Sequence, residues 1–220
     1  MRQNKKRTIR KMIKEYRFRN LDYIISYPEN YKEGDCYPIV FHTPGAGARG
    51  RDLSLIEKNI GLIDRQNEGN EYLNKCLIVI PQCYAQNWFD IYDELRDLCD
   101  YIYNSPFTDK SRFYGSGISM GGYAIYQLFM TFADRFAAGI VCCGGGMYWN
   151  AERIKNIPLW IFHGIQDDVI FVEEAIRMTD KLRGFGGKVR LTLYDECCHD
   201  SWTKAYNTPE LYEWLLSQKK

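Results

Sequence analysis

The 220 residues carry 29 Lys/Arg against 28 Asp/Glu, 45% hydrophobic side chains and eight cysteines. A chain of this size can bury one substantial core, as a single α/β domain does. The near-neutral charge gives no reason to expect nucleic-acid binding, and no stretch approaches the ~20 apolar residues of a membrane span.

The charge is unevenly placed. MRQNKKRTIRKMIKEYRFR, residues 1–19, holds nine Lys/Arg and one Glu, leaving 20 basic against 27 acidic residues in the remainder. Residues 1–20 are therefore expected as a basic segment packed on or preceding a single domain at 21–220. They lack the apolar stretch of a signal peptide, so the expected location is cytoplasmic. The cysteines include two adjacent pairs, Cys142-Cys143 and Cys197-Cys198, and Cys76, Cys83 and Cys99 follow no zinc spacing. Buried reduced thiols are expected, with neither disulfide nor metal.

In chain order, EYRFRNLDYIISYP at 15–28 predicts a hairpin that adds antiparallel strands at one sheet edge. Short runs rich in β-branched and aromatic residues follow at 37–43, 76–82, 112–117, 138–143, 158–164 and 189–194, and they read as strands buried on both faces. Amphipathic segments at 90–104, 121–133, 171–183 and 208–218 predict helices between and after them. This alternation implies an α/β fold with a mostly parallel sheet covered by helices on both faces. The segment between the strands at 138–143 and 158–164 is too short for a large lid, so the site should be open.

In such a sheet the ligand crevice lies beyond the carboxyl ends of the strands. Those positions collect PGAGARG after 43, GISMGG after the strand near 112–116, HGIQDD after 162 and DECCHDSW after 194. Gly117-Ile118-Ser119-Met120-Gly121 is a G-x-S-x-G pattern set between a predicted strand and a predicted helix, the context that a nucleophile elbow requires. A serine hydroxyl needs a base, and a carboxylate to orient that base. Of the three histidines, His42 and His163 end strands, whereas His199 follows the last strand, where a Ser, acid, His chain order puts the base. Asp167 and Asp168 both follow the preceding strand; one is the candidate acid and the other a candidate turn or helix cap. The Met120 amide supplies one oxyanion donor, and the glycine-rich loop 44–50 is placed to supply the second. Gln82 and the aromatics Trp88, Phe89, Tyr148, Trp149 and Trp202 also follow strand ends and are candidates for lining an acyl or alcohol pocket.

From about Tyr23 to Leu216 the chain resembles the compact α/β-hydrolase serine esterases grouped as carboxylesterase/phospholipase, prolyl-oligopeptidase-like or feruloyl-type enzymes. The resemblance runs through YPENYKEGDCYPIVFHTPGAGARG, IPQC, GISMGGYA, DRFAAGIVCCGGG, PLWIFHGIQDDVI and HDSW. It implies Ser119 as nucleophile, His199 as base and Asp167, the first aspartate of an H-G-x-x-D pattern, as acid. In that family the first loop usually reads H-G-A-G-E-R-G. Pro44 replaces its histidine and Ala48 its glutamate, and the matching oxyanion amide is that of Ala46. The expected activity is hydrolysis of small carboxylic esters, short-acyl or feruloyl and acetyl esters of soluble carbohydrates among them, without a cofactor, a nucleic-acid partner or a membrane span. The sequence leaves the oligomeric state open. A peptidase or thioesterase of the same fold, or a non-catalytic binding protein, are the alternative readings.

Overall fold

The structure, a computed structural model, describes residues 12–57 and 61–220. Most of the basic N-terminal segment thus lies outside the described residues. The part that is described forms β1 (Ile13–Phe18), which pairs antiparallel with β2 (Leu21–Ser26). Residues 13–18 therefore belong to the sheet, and the expected boundary at 20/21 falls inside a hairpin.

The sheet continues through β3 (Tyr37–Thr43), β4 (Leu77–Pro81), β5 (Thr108–Ile118), β6 (Ala138–Cys142), β7 (Leu159–Gly164) and β8 (Val189–Tyr194). Among the described residues it has eight strands in the order β1-β2-β4-β3-β5-β6-β7-β8. The β2–β4 pair is antiparallel, and every pair from β4 to β8 is parallel. The helices are α1 (Ser54–Glu57), α2 (Gly61–Asn67), α3 (Tyr92–Tyr103), α4 (Met120–Thr131), α5 (Glu173–Gly184), α6 (Ser201–Tyr206) and α7 (Pro209–Ser217).

Alternation along the strands divides the core in two, because successive side chains leave a strand on opposite faces. On one face Ile39, Phe41, Val79, Phe113 and Ile161 pack against α3, α4 and α5. On the other Val40, Ile78, Ile80, Tyr114, Ile140 and Phe162 pack against α2, α6 and α7. Only β8 departs from the expected burial on both faces: its residues are partly exposed because it is the last strand and has a neighbour on one side alone. Arg190 there extends over the rings of Trp160 and Trp214 and shields them.

His42, near the end of β3, is fully buried beside the Tyr206 ring, and neither of its nitrogens has a partner among the described residues. Burial disfavours the imidazolium and lowers its pKa to about 3. The unfolded chain binds a proton at this residue near the ordinary value of about 6.5, while the folded chain resists it until about 3. Stability is therefore lost as pH falls through that window, at up to about 1.4 kcal/mol per pH unit. Urea unfolding at pH 7 and pH 5 is expected to show a drop larger by about 2 kcal/mol in the parent chain than in His42→Met. Equal drops would mean that His42 is hydrated or charged in the native state.

Candidate active site

Ser119 lies in the turn between β5 and α4 with φ 53° and ψ −122°, a conformation a side-chain-bearing residue rarely holds and one that costs on the order of 1–3 kcal/mol. Its neighbours make the turn possible. A side chain at Gly121 would collide with the carbonyl oxygens of Thr43 and Pro44, and one at Gly117 with the Gly121 carbonyl and Ile125. The Thr43 hydroxyl donates to the Gly121 carbonyl at 2.7 Å, which ties the end of β3 to the first turn of α4.

The loop after β7 and the loop after β8 complete the geometry. His199 Nε2 lies 2.8 Å from Ser119 Oγ, and His199 Nδ1 lies 2.8 and 3.0 Å from the two carboxylate oxygens of Asp167. Asp167 is buried, and its Oδ1 also accepts from the Val169 and Ile170 amides at 3.0 and 2.9 Å. Burial by itself would raise the pKa of Asp167. The hydrogen bonds from His199 and from the Ile170 and Val169 amides outweigh it and hold the carboxyl below the usual carboxylate range. Such a serine, imidazole and carboxylate in sequence can take a proton from the hydroxyl as it attacks and return it to a leaving group.

Residue chemistry alone left Asp167 and Asp168 equivalent, with the resemblance favouring Asp167; the structure gives the two different surroundings. Asp168 is exposed, and α5 begins after Val172 without a side-chain cap, so the expected capping role for the second aspartate is corrected. Asp167 itself closes the turn, because its carboxylate meets two amides as well as the histidine.

The loop Pro44–Gly50 lies against the elbow, where a side chain on Gly45 would touch Ser119 Cβ at 3.3 Å. Ala46 opens a short 3-10 helix and Met120 opens α4, and neither helix start has a side-chain cap. Their first amides are thus left without a side-chain partner, as the first N–H groups of a helix are unless capped.

Two residues expected to line a pocket stand behind that loop instead. Gln82 is buried, and its amide donates to the carbonyls of Ala48 and Asp52 at 3.0 and 2.7 Å. Trp88 is also buried, and its indole N–H donates to the Pro44 carbonyl at 3.0 Å. Arg49 adds a bond to the Gln86 carbonyl at 2.7 Å. These contacts satisfy the backbone of a glycine-rich loop that has little packing of its own. Trp202 does line the cleft, a space of about 280 Å³ shared with Gly45, Ala46, Ile118, Ser119, Val169 and His199. Trp149 is exposed and belongs to a neighbouring cavity.

Two groups beside the triad were not singled out from sequence as parts of the site. His163 Nε2 lies 2.8 Å from the Ile170 carbonyl and 3.2 Å from Asp167 Oδ2, so a proton on that nitrogen braces the acid-bearing loop. Its position four residues before Asp167 was the available signal. Cys143 Sγ, a carboxylate oxygen of Asp167 and a ring nitrogen of His199 lie within 4.8 Å of one another. That donor set does not fit a resident metal: Asp167 and His199 already bond each other, and burial pushes the Cys143 thiol up to about 12, keeping it protonated.

With this geometry in place, the chain can be set beside known proteins. Its fold matches that of a thermostable esterase with TM-score 0.81 and 30% identity, over 96% of this chain and 63% of that one. The chain has the α/β-hydrolase fold. An acylaminoacyl peptidase of Pyrococcus horikoshii shares the fold at TM-score 0.65 and 17% identity, over 94% of this chain and 41% of that one. A probable feruloyl esterase C of Aspergillus terreus is 28% identical over 167 residues, 73% of this chain and 60% of that protein. A bifunctional acetylxylan esterase/xylanase of Neocallimastix patriciarum is 34% identical over 67 residues, 30% of this chain and 10% of that one. The chain thus spans about three-fifths of the feruloyl esterase's length. No family model matches it. None of the described helices is long and apolar enough to cross a membrane.

The two aspartates give a direct test. Asp167→Asn is expected to lower kcat by a factor on the order of 10⁴, as when the orienting carboxylate is lost and the imidazole takes the wrong tautomer. Asp168→Asn, at an exposed position, is expected to leave kcat within about twofold and to shift stability by less than about 0.5 kcal/mol. Steady-state kinetics and melting curves on both variants check this, and a larger catalytic loss in Asp168→Asn would reverse the assignment.

Proposed function

We propose that this α/β-hydrolase is a serine carboxylic-ester hydrolase. The observation that carries the reading is the unbroken chain of hydrogen bonds from Ser119 Oγ through His199 to the buried Asp167 carboxylate. In the first half-reaction Ser119 Oγ attacks the ester carbonyl carbon while His199 Nε2 takes the hydroxyl proton. The amides of Ala46 and Met120 hold the negative oxygen of the tetrahedral intermediate, and Asp167 stabilises the imidazolium. Collapse breaks the bond to the alcohol oxygen, which leaves with the proton from Nε2. Water then repeats the sequence on the acyl-enzyme, giving the carboxylic acid and free Ser119. These steps use only side chains and amides of the protein.

The substrates proposed are short-acyl, acetyl or feruloyl esters of soluble carbohydrates. The names of the feruloyl esterase and acetylxylan esterase relatives support this choice, as does the modest open cleft. The segment between β6 and β7 also supports it: it carries a single 3-10 helix, Tyr148–Ile154, and provides a wall in place of a mobile apolar lid.

A fluorophosphonate probe is expected to label Ser119 stoichiometrically, with labelling and ester hydrolysis both abolished in Ser119→Ala. Ser116→Ala is the control, because Ser116 is buried and bonds the Tyr206 hydroxyl away from the cleft. Retention of more than a few per cent of activity in Ser119→Ala would overturn the proposal. In a series of p-nitrophenyl esters, kcat/KM is expected to fall from acetyl and butyryl toward palmitoyl, with no jump above the micelle concentration of the substrate.

A further inference from the structure

A second cavity, of about 280 Å³, lies beside the cleft and takes no part in the chemistry above. Phe89, Tyr123, Tyr126, Tyr148 and Trp149 contribute to its walls, and Glu174 is its one charged lining residue. It is near the nucleophile: Tyr123 is four residues beyond Ser119, about 6 Å along the axis of α4. An outer groove adjoins both the cavity and the cleft. Tyr123 and Glu174 line it together with Val169, and Val169 lines the cleft that holds Ser119 and His199.

The polar groups of this cavity are unspent. The Glu174 carboxylate, half-buried at the start of α5, has no hydrogen bond or ion pair with any described residue. Arg177, one turn later on the same helix, lies 5.7 Å from the Tyr148 ring and not on the carboxylate. Glu174 Oε2 and the Tyr123 hydroxyl both converge on Gly145, where a side chain would collide with the carboxylate and lie 2.7 Å from the phenol oxygen. A carboxylate partly withdrawn from water calls for a positive partner. Aromatic faces around it attract a cation through their quadrupoles, and an ammonium offers three N–H donors to a carboxylate and to phenol oxygens.

We propose that this cavity is a subsite for a protonated amine, with Glu174 as the residue that selects the charge, so that the hydrolase accepts esters bearing an ammonium group. The placement of the ester itself rests on the serine-hydrolase reading; the binding of the amine does not. A neutral aromatic group would use the same walls and leave the carboxylate uncompensated, which sets the test.

Benzylammonium and benzyl alcohol, of similar size, are titrated calorimetrically into the intact protein, Ser119→Ala, Glu174→Gln and Trp149→Ala. Benzylammonium is expected to bind at least tenfold tighter than benzyl alcohol in the intact protein and equally so in Ser119→Ala. The ratio is expected to collapse to within twofold in Glu174→Gln. Trp149 is 67% exposed, so its truncation should spare the fold and still weaken benzylammonium several-fold. Benzylammonium is also expected to inhibit p-nitrophenyl butyrate hydrolysis competitively. Equal affinity for the two probes, or a preference that survives Glu174→Gln, would overturn the proposal. Absence of ester hydrolysis with the charge preference intact would count against the esterase reading alone.

Discussion

The contact between the first turn of α4 and the end of β3 governs the rest of the site. Gly121 brings its backbone against the Thr43 and Pro44 carbonyls, at a distance that excludes any side chain, and the Thr43 hydroxyl bonds back to the Gly121 carbonyl. The same close packing holds Ser119 at its strained angles and Gly45 so near the serine that a side chain there would come within 3.3 Å of Ser119 Cβ. An alanine at 121 would push the end of β3 away from the first turn of α4. Strain at Ser119 persists because buried packing on both sides over-determines it.

The loop Pro44–Gly50 shows how a glycine-rich segment is held in place. It has mostly small side chains, of which Ala48 packs into the core, and its carbonyls are held in addition by donors from the residues after β4. Gln82 takes Ala48, Trp88 takes Pro44, and the Gly50 amide bonds the Cys83 carbonyl at 2.9 Å. Preorganised donors stabilise developing charge only if they need not reorient when it appears. Gln82 and Trp88 therefore hold the loop from behind, and neither lines the cleft.

Much of this was legible in the sequence, for identifiable reasons. The strands at 37–43 and 189–194 match their observed limits because their β-branched and aromatic runs are bounded by turn residues, and α4 follows the elbow as the motif requires. The serine, the two aspartates and the histidine were found because an α/β sheet collects its chemistry at one set of strand ends. Side-chain direction was not legible. Gln82 and Trp88 follow a strand, and only tertiary packing turns them behind the neighbouring loop. Asp167 and Asp168 differ in nothing local until the turn through Val169 and Ile170 claims the first. Helix α6 was missed because six residues carry too little periodicity, although Asp200 announces it by accepting from the Thr203 amide at 3.0 Å.

The wall opposite the oxyanion loop follows from the same economy of space. Gly144 meets Gly122 so closely that a side chain on either would strike the other's backbone, which pins the segment after β6 to α4 one turn beyond the nucleophile. Gly146 is likewise pressed on Tyr126 and Met178. A segment anchored at both points cannot swing as a lid without breaking the packing of α4. Discrimination between substrates must then come from what the fixed walls present: Trp202 and Val169 in the cleft, aromatic rings and one uncompensated carboxylate beside it. Charge and shape, already set before a ligand arrives, are the means this fold leaves for choosing one.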